Sequence, residues 1–252
     1  MEIWTATRDT RLAASLGTLG VPIRLDSMID ERTGRSQTTF YLGVSSADGG
    51  VFVPNTKALK DRYEKKELDT EEPEHPLLDC LRGMYNWSMI LDAVNKGRRI
   101  RLARVPGTSR TIYVDSDSGF PGVEGHGGLL RTGDVKMVAA LGVVGVPILR
   151  VEGARGSRKF TLPCVGMKVG GEPARDAGLL MKQYREDTFT DFEHPFLYAM
   201  KAQVAKERLL DALNSEEKMV LIRKPRSSKA AYVNEGASDE KLDKMKRFFE
   251  GG

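Results

Sequence analysis

Two triplets of identical composition, Glu74-His75-Pro76 and Glu193-His194-Pro195, are the first place to look for chemistry. A histidine beside a carboxylate can act as a general acid or base near neutral pH, which would make the chain a hydrolase or nuclease using His75 and His194. The plainer reading is a helix start, because proline suits the first helical position and glutamate suits the positive end of the helix dipole. No second histidine or cysteine lies at metal-ligand spacing from either one, and His126 stands alone. Neither a metal nor a cofactor is therefore expected, and no catalytic residue is assigned. Asp9 and Asp134 are carboxylates that capping explains fully. The sequence contains no P-loop, no GxGxxG after a strand, no GxSxG and no HExxH. Gly17, Gly20, Gly142 and Gly145 fall at the ends of predicted helices, where the negative dipole disfavours phosphate.

The second constellation is basic. The stretch 96–110 holds Lys96, Arg98, Arg99, Arg101, Arg104 and Arg110 with no acid among them, and a later hairpin carries Arg223, Lys224, Arg226 and Lys229. A further pair of hairpins holds Arg32 and Arg35, then Arg155, Arg158 and Lys159. Guanidinium groups clustered on two-stranded ribbons can track phosphates or enter a groove. Strand alternation spreads them over both faces, so not all can contact one ligand. An ordinary solvated hairpin, whose charges keep an exposed edge from aggregating, would look the same. Tyr113 and Tyr232 could stack on bases or simply pack in a core. The acid-rich segment 61–74, a solvated loop or a helix with a linker, would repel a polyanion locally.

These groups are positioned by a chain that is written twice. Residues 7–23, TRDTRLAASLGTLGVPI, align with 132–148, TGDVKMVAALGVVGVPI, at an offset of 125 with nine of seventeen identities; ordinary residue frequencies would give about one. At an offset of 119 the EHP triplets coincide, LDAVN at 91–95 meets LDALN at 210–214, and Arg104, Pro106, Ser109 and Tyr113 fall on Arg223, Pro225, Ser228 and Tyr232.

Each copy reads as a short strand, a helix capped by Asp9 or Asp134 and ended by Gly20 or Gly145, a hairpin, a variable loop, a helix opened by Pro76 or Pro195, and a final hairpin. Leu12, Leu16 and Leu19, matched by Met137, Leu141 and Val144, give the first helix its apolar stripe. Leu77, Leu81, Met84 and Leu91 give the second helix of the first copy its spacing. Pro163 pushes its arm toward an edge or a bulge. The expectation is an α+β chain: a tandem duplication of a β-α-β-β-α-β-β unit, with antiparallel sheets, helices packed on one face and a pseudo-two-fold arrangement. The first repeat covers 1–114, a Gly/Ser/Asp-rich flexible linker 115–128, the second repeat 129–235, and a short helix or tail capped by Ser238 covers 236–252.

Composition bounds the partners. The chain has 252 residues, 39 Lys plus Arg against 35 Asp plus Glu, and a net charge of +4, a balance compatible with nucleic acid but not diagnostic of it. No apolar run approaches the roughly 18 residues of a membrane helix, and the charged N-terminal stretch is unlike a signal peptide. Cys80 and Cys164 read as reduced thiols in a cytoplasm.

The stretch TRDTRLAASLGTLGVPI followed by the arm TTFYLG resembles the opening of a small uncharacterised bacterial and phage domain family, over about forty residues in each copy. The resemblance implies a bacterial or mobile-element origin and brings no site residues. The leading expectation is a non-enzymatic, cytoplasmic nucleic-acid-binding protein that contacts DNA or RNA phosphates through the basic hairpins. The alternatives are a protein-interaction or structural module of phage or mobile-element origin, and the hydrolase already described.

Overall fold

A computed structural model describes residues 4–21, 23–30, 35–43, 56–117, 123–153, 157–169, 171–191, 193–215, 219–223 and 230–234. The expected tail helix at 236–252 and the turns bearing Arg32 and Arg155 lie outside them. The chain is α+β, with seven helices and antiparallel sheets among the described residues. It divides into two compact units, one comprising Met1–Leu81 and Lys201–Gly252, the other Arg82–Met200.

The opening elements are β1 (Trp4–Thr7), α1 (Thr10–Thr18), β2 (Ile23–Asp30) and β3 (Arg35–Gly43), with the strands ordered β1-β3-β2. Asp9 caps α1, its carboxylate accepting from the Arg11 and Leu12 amides at 2.8 and 3.2 Å. Leu12, Leu16 and Leu19 are buried, and Gly20 leaves the helix at φ 98°. Next come α2 (Thr56–Glu64), α3 (Glu67–Glu71) and the long α4 (Pro76–Lys96). Of the two readings open for 61–74, a solvated loop or a helix with a linker, the structure has helix over most of the segment. Leu59 and Leu68 are buried and anchor two short helices there, and Arg62 clamps the segment by pairing with Glu71 at 3.0 Å and Glu72 at 2.8 Å.

The hairpin β4 (Ile100–Arg104) and β5 (Thr111–Asp115) follows, then β6 (Val123–Glu124), β7 (Leu129–Thr132), α5 (Val135–Val143), β8 (Arg150–Glu152) and β9 (Lys159–Pro163). The strands are ordered β7-β9-β8, so the topology of the first sheet recurs, and Asp134 caps α5 through the Met137 amide at 3.0 Å. Pro163 ends the central strand of this sheet, opposite Leu129, and does not make an edge; at a strand terminus its missing N–H costs no ladder bond. The chain continues through β10 (Lys168–Val169), β11 (Glu172–Pro173), α6 (Ala177–Glu186), α7 (Pro195–Ser215), β12 (Met219–Arg223) and β13 (Ala230–Asn234). Helix α6 stands where a loop was expected; Asp176 caps it, and Ala177 and Met181 are buried. The linker expected at 115–128 is not wholly a free joint, since Asp115 ends β5 and β6 pairs with β10.

The core of the second unit joins residues far apart in the chain. Ile90 and Ala93 from α4, with Ile100 and Tyr113 from the hairpin, pack with Met137, Val138, Leu141 and Val144 of α5 and its exit, and with Phe196 and Met200 of α7. Leu91, expected to face the core, is 39% exposed; Ile90 takes that place at 0%. The β4–β5 hairpin is thus buried against α5.

The contact is close. A Cβ built on Gly142 would stand 2.4 Å from Tyr113 Cε2 and 2.9 Å from Asn86 Nδ2, so only glycine lets the ring lie there. Around it, the Tyr113 hydroxyl donates to the Val146 carbonyl at 2.8 Å, and Asn86 accepts from the Tyr113 amide at 2.8 Å and donates to the Ala139 carbonyl at 3.1 Å. The Thr111 hydroxyl donates to the Gly142 carbonyl. At the start of α7 the same device recurs: a Cβ on Gly83 would meet the Ala199 Cβ at 2.6 Å.

Gly142→Ala is expected to lower stability by about 1–3 kcal/mol through overpacking. Tyr113→Phe is expected to cost about 1–3 kcal/mol by orphaning a buried carbonyl. Urea denaturation of the two variants checks this; midpoints unchanged from wild type would refute the packing described.

Candidate nucleic-acid interface

The ribbon β4–β5 pairs Leu102 with Tyr113, Arg101 with Val114 and Arg104 with Thr111. Side chains alternate along a strand, so Ile100, Leu102, Tyr113 and Arg104 share the inner face. Arg99 and Arg101 share the other face with Ala103, Ile112 and Val114. Both arginines are exposed, and neither has an ion-pair partner among the described residues.

Their neighbours are occupied. Arg98 is clamped between Asp92 and Asp115, the latter at 2.6 Å, and Asp92 also holds Lys96 at 2.7 Å. The Arg104 Nε donates to the Thr108 carbonyl at 3.1 Å, folding the side chain onto its own turn, and Arg110 donates to the Ser109 hydroxyl at 2.7 Å. Of the six cations read as one run at 96–110, two form an open outward pair.

The other sequence-picked cations divide similarly. On the β8–β9 hairpin Lys159 is exposed and lies opposite Glu152, which pairs with Arg150 at 2.8 Å; Arg158 is half-buried just before the strand. Arg35 and Arg223 lie on described strands, at the start of β3 and the end of β12, with no side-chain contact described. Arg32, Arg155, Lys224, Arg226 and Lys229 lie outside the described residues. β12 and β13 repeat the register of β4 and β5, with Leu221 opposite Tyr232 as Leu102 is opposite Tyr113. At this register Arg104 corresponds to Arg223, but Arg101 corresponds to Val220. The outward pair therefore belongs to the first hairpin.

The histidines are structural caps. His75 Nδ1 accepts from the Leu77 amide at 3.1 Å, and His194 Nδ1 accepts from the Phe196 amide at 3.3 Å, each satisfying a helix-start donor. His75 Nε2 is 4.0 Å from Glu72, and the His194 ring lies 5.3 Å from that of Phe189. Burial pushes both imidazoles below their ordinary value; Glu72 and Asp191 pull the other way, while Arg62 for His75, and Arg175 and Arg110 for His194, reinforce the shift. Among the described residues no three His, Cys, Asp or Glu side chains gather as a metal site. Burial raises the Cys80 and Cys164 thiols, so neither is an activated nucleophile.

Sequence reasoning missed the role of Asn86. A polar residue inside an otherwise apolar helical stripe was the available signal, and it marks the bridge between β5 and α5.

No family model matches the chain, and neither a curated protein nor a solved structure matches it.

The caps make stability depend on acidity. The folded state holds both imidazoles neutral, below the free value of 6.5. The unfolded chain therefore binds protons first as pH falls through that value. The caps' contribution is complete above it and is lost toward the lower folded values. His75→Ala and His194→Ala are each expected to cost about 0.5–2 kcal/mol at neutral pH and to flatten the acid side of the stability–pH curve. Chemical denaturation from pH 8 down to pH 5 checks this, and an acid limb unchanged in the double variant would refute it.

Proposed function

We infer that the protein is a non-enzymatic nucleic-acid-binding protein of the cytoplasm, contacting the phosphates of DNA or RNA through its basic hairpins. The observation that carries this reading is the outward pair Arg99 and Arg101, exposed on one ribbon face without a carboxylate partner among the described residues. Adjacent guanidiniums two residues apart on a strand can meet successive phosphates. On the same face Val114 lies opposite Arg101 and Ile112 opposite Ala103, both half-buried and apolar, which keeps the face low in competing acids.

The scaffold is a tandem duplication, its copies related by a pseudo-two-fold. Support comes from the recurrence of strand order, helix caps and hairpin register in the two copies. The second hairpin carries Arg223, Lys224, Arg226 and Lys229 in its sequence, and the same reading assigns them to phosphate contacts of its own. A phage or mobile-element origin fits the sequence resemblance.

One observation favours a second reading, a protein-interaction module. Leu129, Val165 and Leu179 are 55%, 69% and 52% exposed. Each adjoins a member of one local cluster: the Cys164 amide donates to the Gly128 carbonyl at 2.9 Å, and the Cys164 sulfur lies 3.2 Å from where a Gly178 Cβ would stand. The hydrolase reading draws no support from imidazoles that serve as helix caps.

Wild type is expected to retain a labelled oligonucleotide at low salt. Arg99→Glu with Arg101→Glu should abolish retention there, and Arg99→Ala with Arg101→Ala should reduce the log–log salt slope by about 2. Arg98→Ala should leave binding nearly unchanged while lowering stability, since its charge is already paired. Filter binding across a salt series decides: no retention of any DNA or RNA by wild type would refute the reading, and a nuclease-resistant protein partner would favour the second.

A further inference from the structure

In the sheet β7-β9-β8, Phe160 and Leu162 of β9 are buried in the core, so alternation turns Thr161 between them to the opposite face. On that face Thr161 lies opposite Arg131 of β7 on one side and Arg150 of β8 on the other. The two arginine side chains are 65% and 67% exposed, whereas Thr161 is 4% exposed. A short side chain between two long ones forms the floor of a slot whose rims are guanidiniums. The Thr161 hydroxyl is buried and has no hydrogen-bond partner among the described residues. A hydroxyl left so is destabilising until something answers it.

Glu152 marks what the rims can hold. Its carboxylate lies 2.8 Å from Arg150 Nε and 4.0 Å from Arg131 Nη2. It therefore closes on one guanidinium, stands off the other and leaves the hydroxyl unmet. Lys159, opposite Glu152 in register, leans to the β7 side, its Nζ 3.3 Å from where a Cβ on Gly133 would stand. Arg131, Arg150 and Lys159 outnumber the single carboxylate, so the face keeps a positive surplus. The fold does not require this row: at the same register in the sheet β1-β3-β2 stand Ala6, Tyr41 and Arg24.

We propose that Arg131, Thr161 and Arg150 form a binding site for a phosphate group. A tetrahedral oxyanion has oxygens for both guanidiniums and another for the hydroxyl, which a two-oxygen carboxylate lacks. An arriving phosphate displaces Glu152 from Arg150, and Lys159 adds charge at the edge. Glu152 is thus a built-in competitor that holds the arginines between binding events. The same chemistry is offered by free phosphate, by the terminal phosphate of a nucleotide and by a phosphodiester backbone. The site does not rest on the reading of Arg99 and Arg101, which belong to a different ribbon.

Isothermal titration of the full chain with inorganic phosphate, at low salt and without other polyvalent anions, tests the site. Saturable binding is expected. Arg131→Ala with Arg150→Ala should weaken it by about tenfold or more, while Arg99→Ala with Arg101→Ala should leave it unchanged. Glu152→Gln should tighten it by removing the competitor. Thr161→Val should weaken it about tenfold yet raise the melting midpoint of the phosphate-free protein, a pair of effects that a merely structural threonine would not give. Titrations with a nucleoside monophosphate and with an oligonucleotide lacking terminal phosphates then assign the source. Binding of the first that depends on Arg131 and Arg150 marks a terminal phosphate, the same dependence for the second marks a backbone phosphate, and dependence for neither marks free phosphate; each supports the site. A folded wild type that binds no inorganic phosphate, or binds it indifferently to the loss of Arg131 and Arg150, overturns the proposal and leaves the ribbon reading standing.

Discussion

An aromatic ring lying directly on a helix backbone is the constraint around which the second unit is arranged. Tyr113 can approach α5 because position 142 has no side chain, and the approach turns each nearby polar group into an obligation. The phenol is fully buried, which raises its ionisation well above the ordinary range and keeps it a neutral donor. Its hydroxyl meets the carbonyl of Val146 as the chain leaves α5. The Tyr113 amide is met by Asn86, whose other end satisfies Ala139. A buried amide side chain that uses both its donor and its acceptor stabilises one arrangement over its neighbours, because any shift would leave a buried group unpaired.

That inner face decides what the outer face can present. With Ile100, Leu102 and Tyr113 turned inward, alternation turns Arg99 and Arg101 outward. Asp92 and Asp115 bracket the ribbon's base and hold Arg98, so the sequence's run of like charges is divided by geometry into cations that stiffen the ribbon and cations left for a ligand. The proposed binding role therefore rests on fewer residues than the raw charge pattern suggests, and on one hairpin more than the other.

Much of this architecture is legible from local chemistry. Asp9 and Asp134 precede apolar stripes, Gly20 and Gly145 follow them, and prolines open both long helices; these signals are short-range and survive without tertiary knowledge. The helices α2 and α6 are less legible because their apolar content is small. Leu59 and Met181 are buried, but the surrounding charges read equally well as loop. Gly142 is legible as a helix glycine but not as a contact for Tyr113, because the two are distant in sequence. The partners of Arg98 are hidden for the same reason, since Asp115 reaches it only once the hairpin closes. For the histidines, the helix-start reading from sequence agrees with the geometry: Nδ1 of each accepts the amide two residues on.

Hydrogen exchange at the Tyr113 amide tests the central claim most directly, since that proton is held by Asn86 inside the junction. If the junction organises the unit, this amide exchanges only through global unfolding and shares the slowest rates in the protein. Exchange as fast as that of an exposed turn amide, in protein that is otherwise folded, would contradict the account.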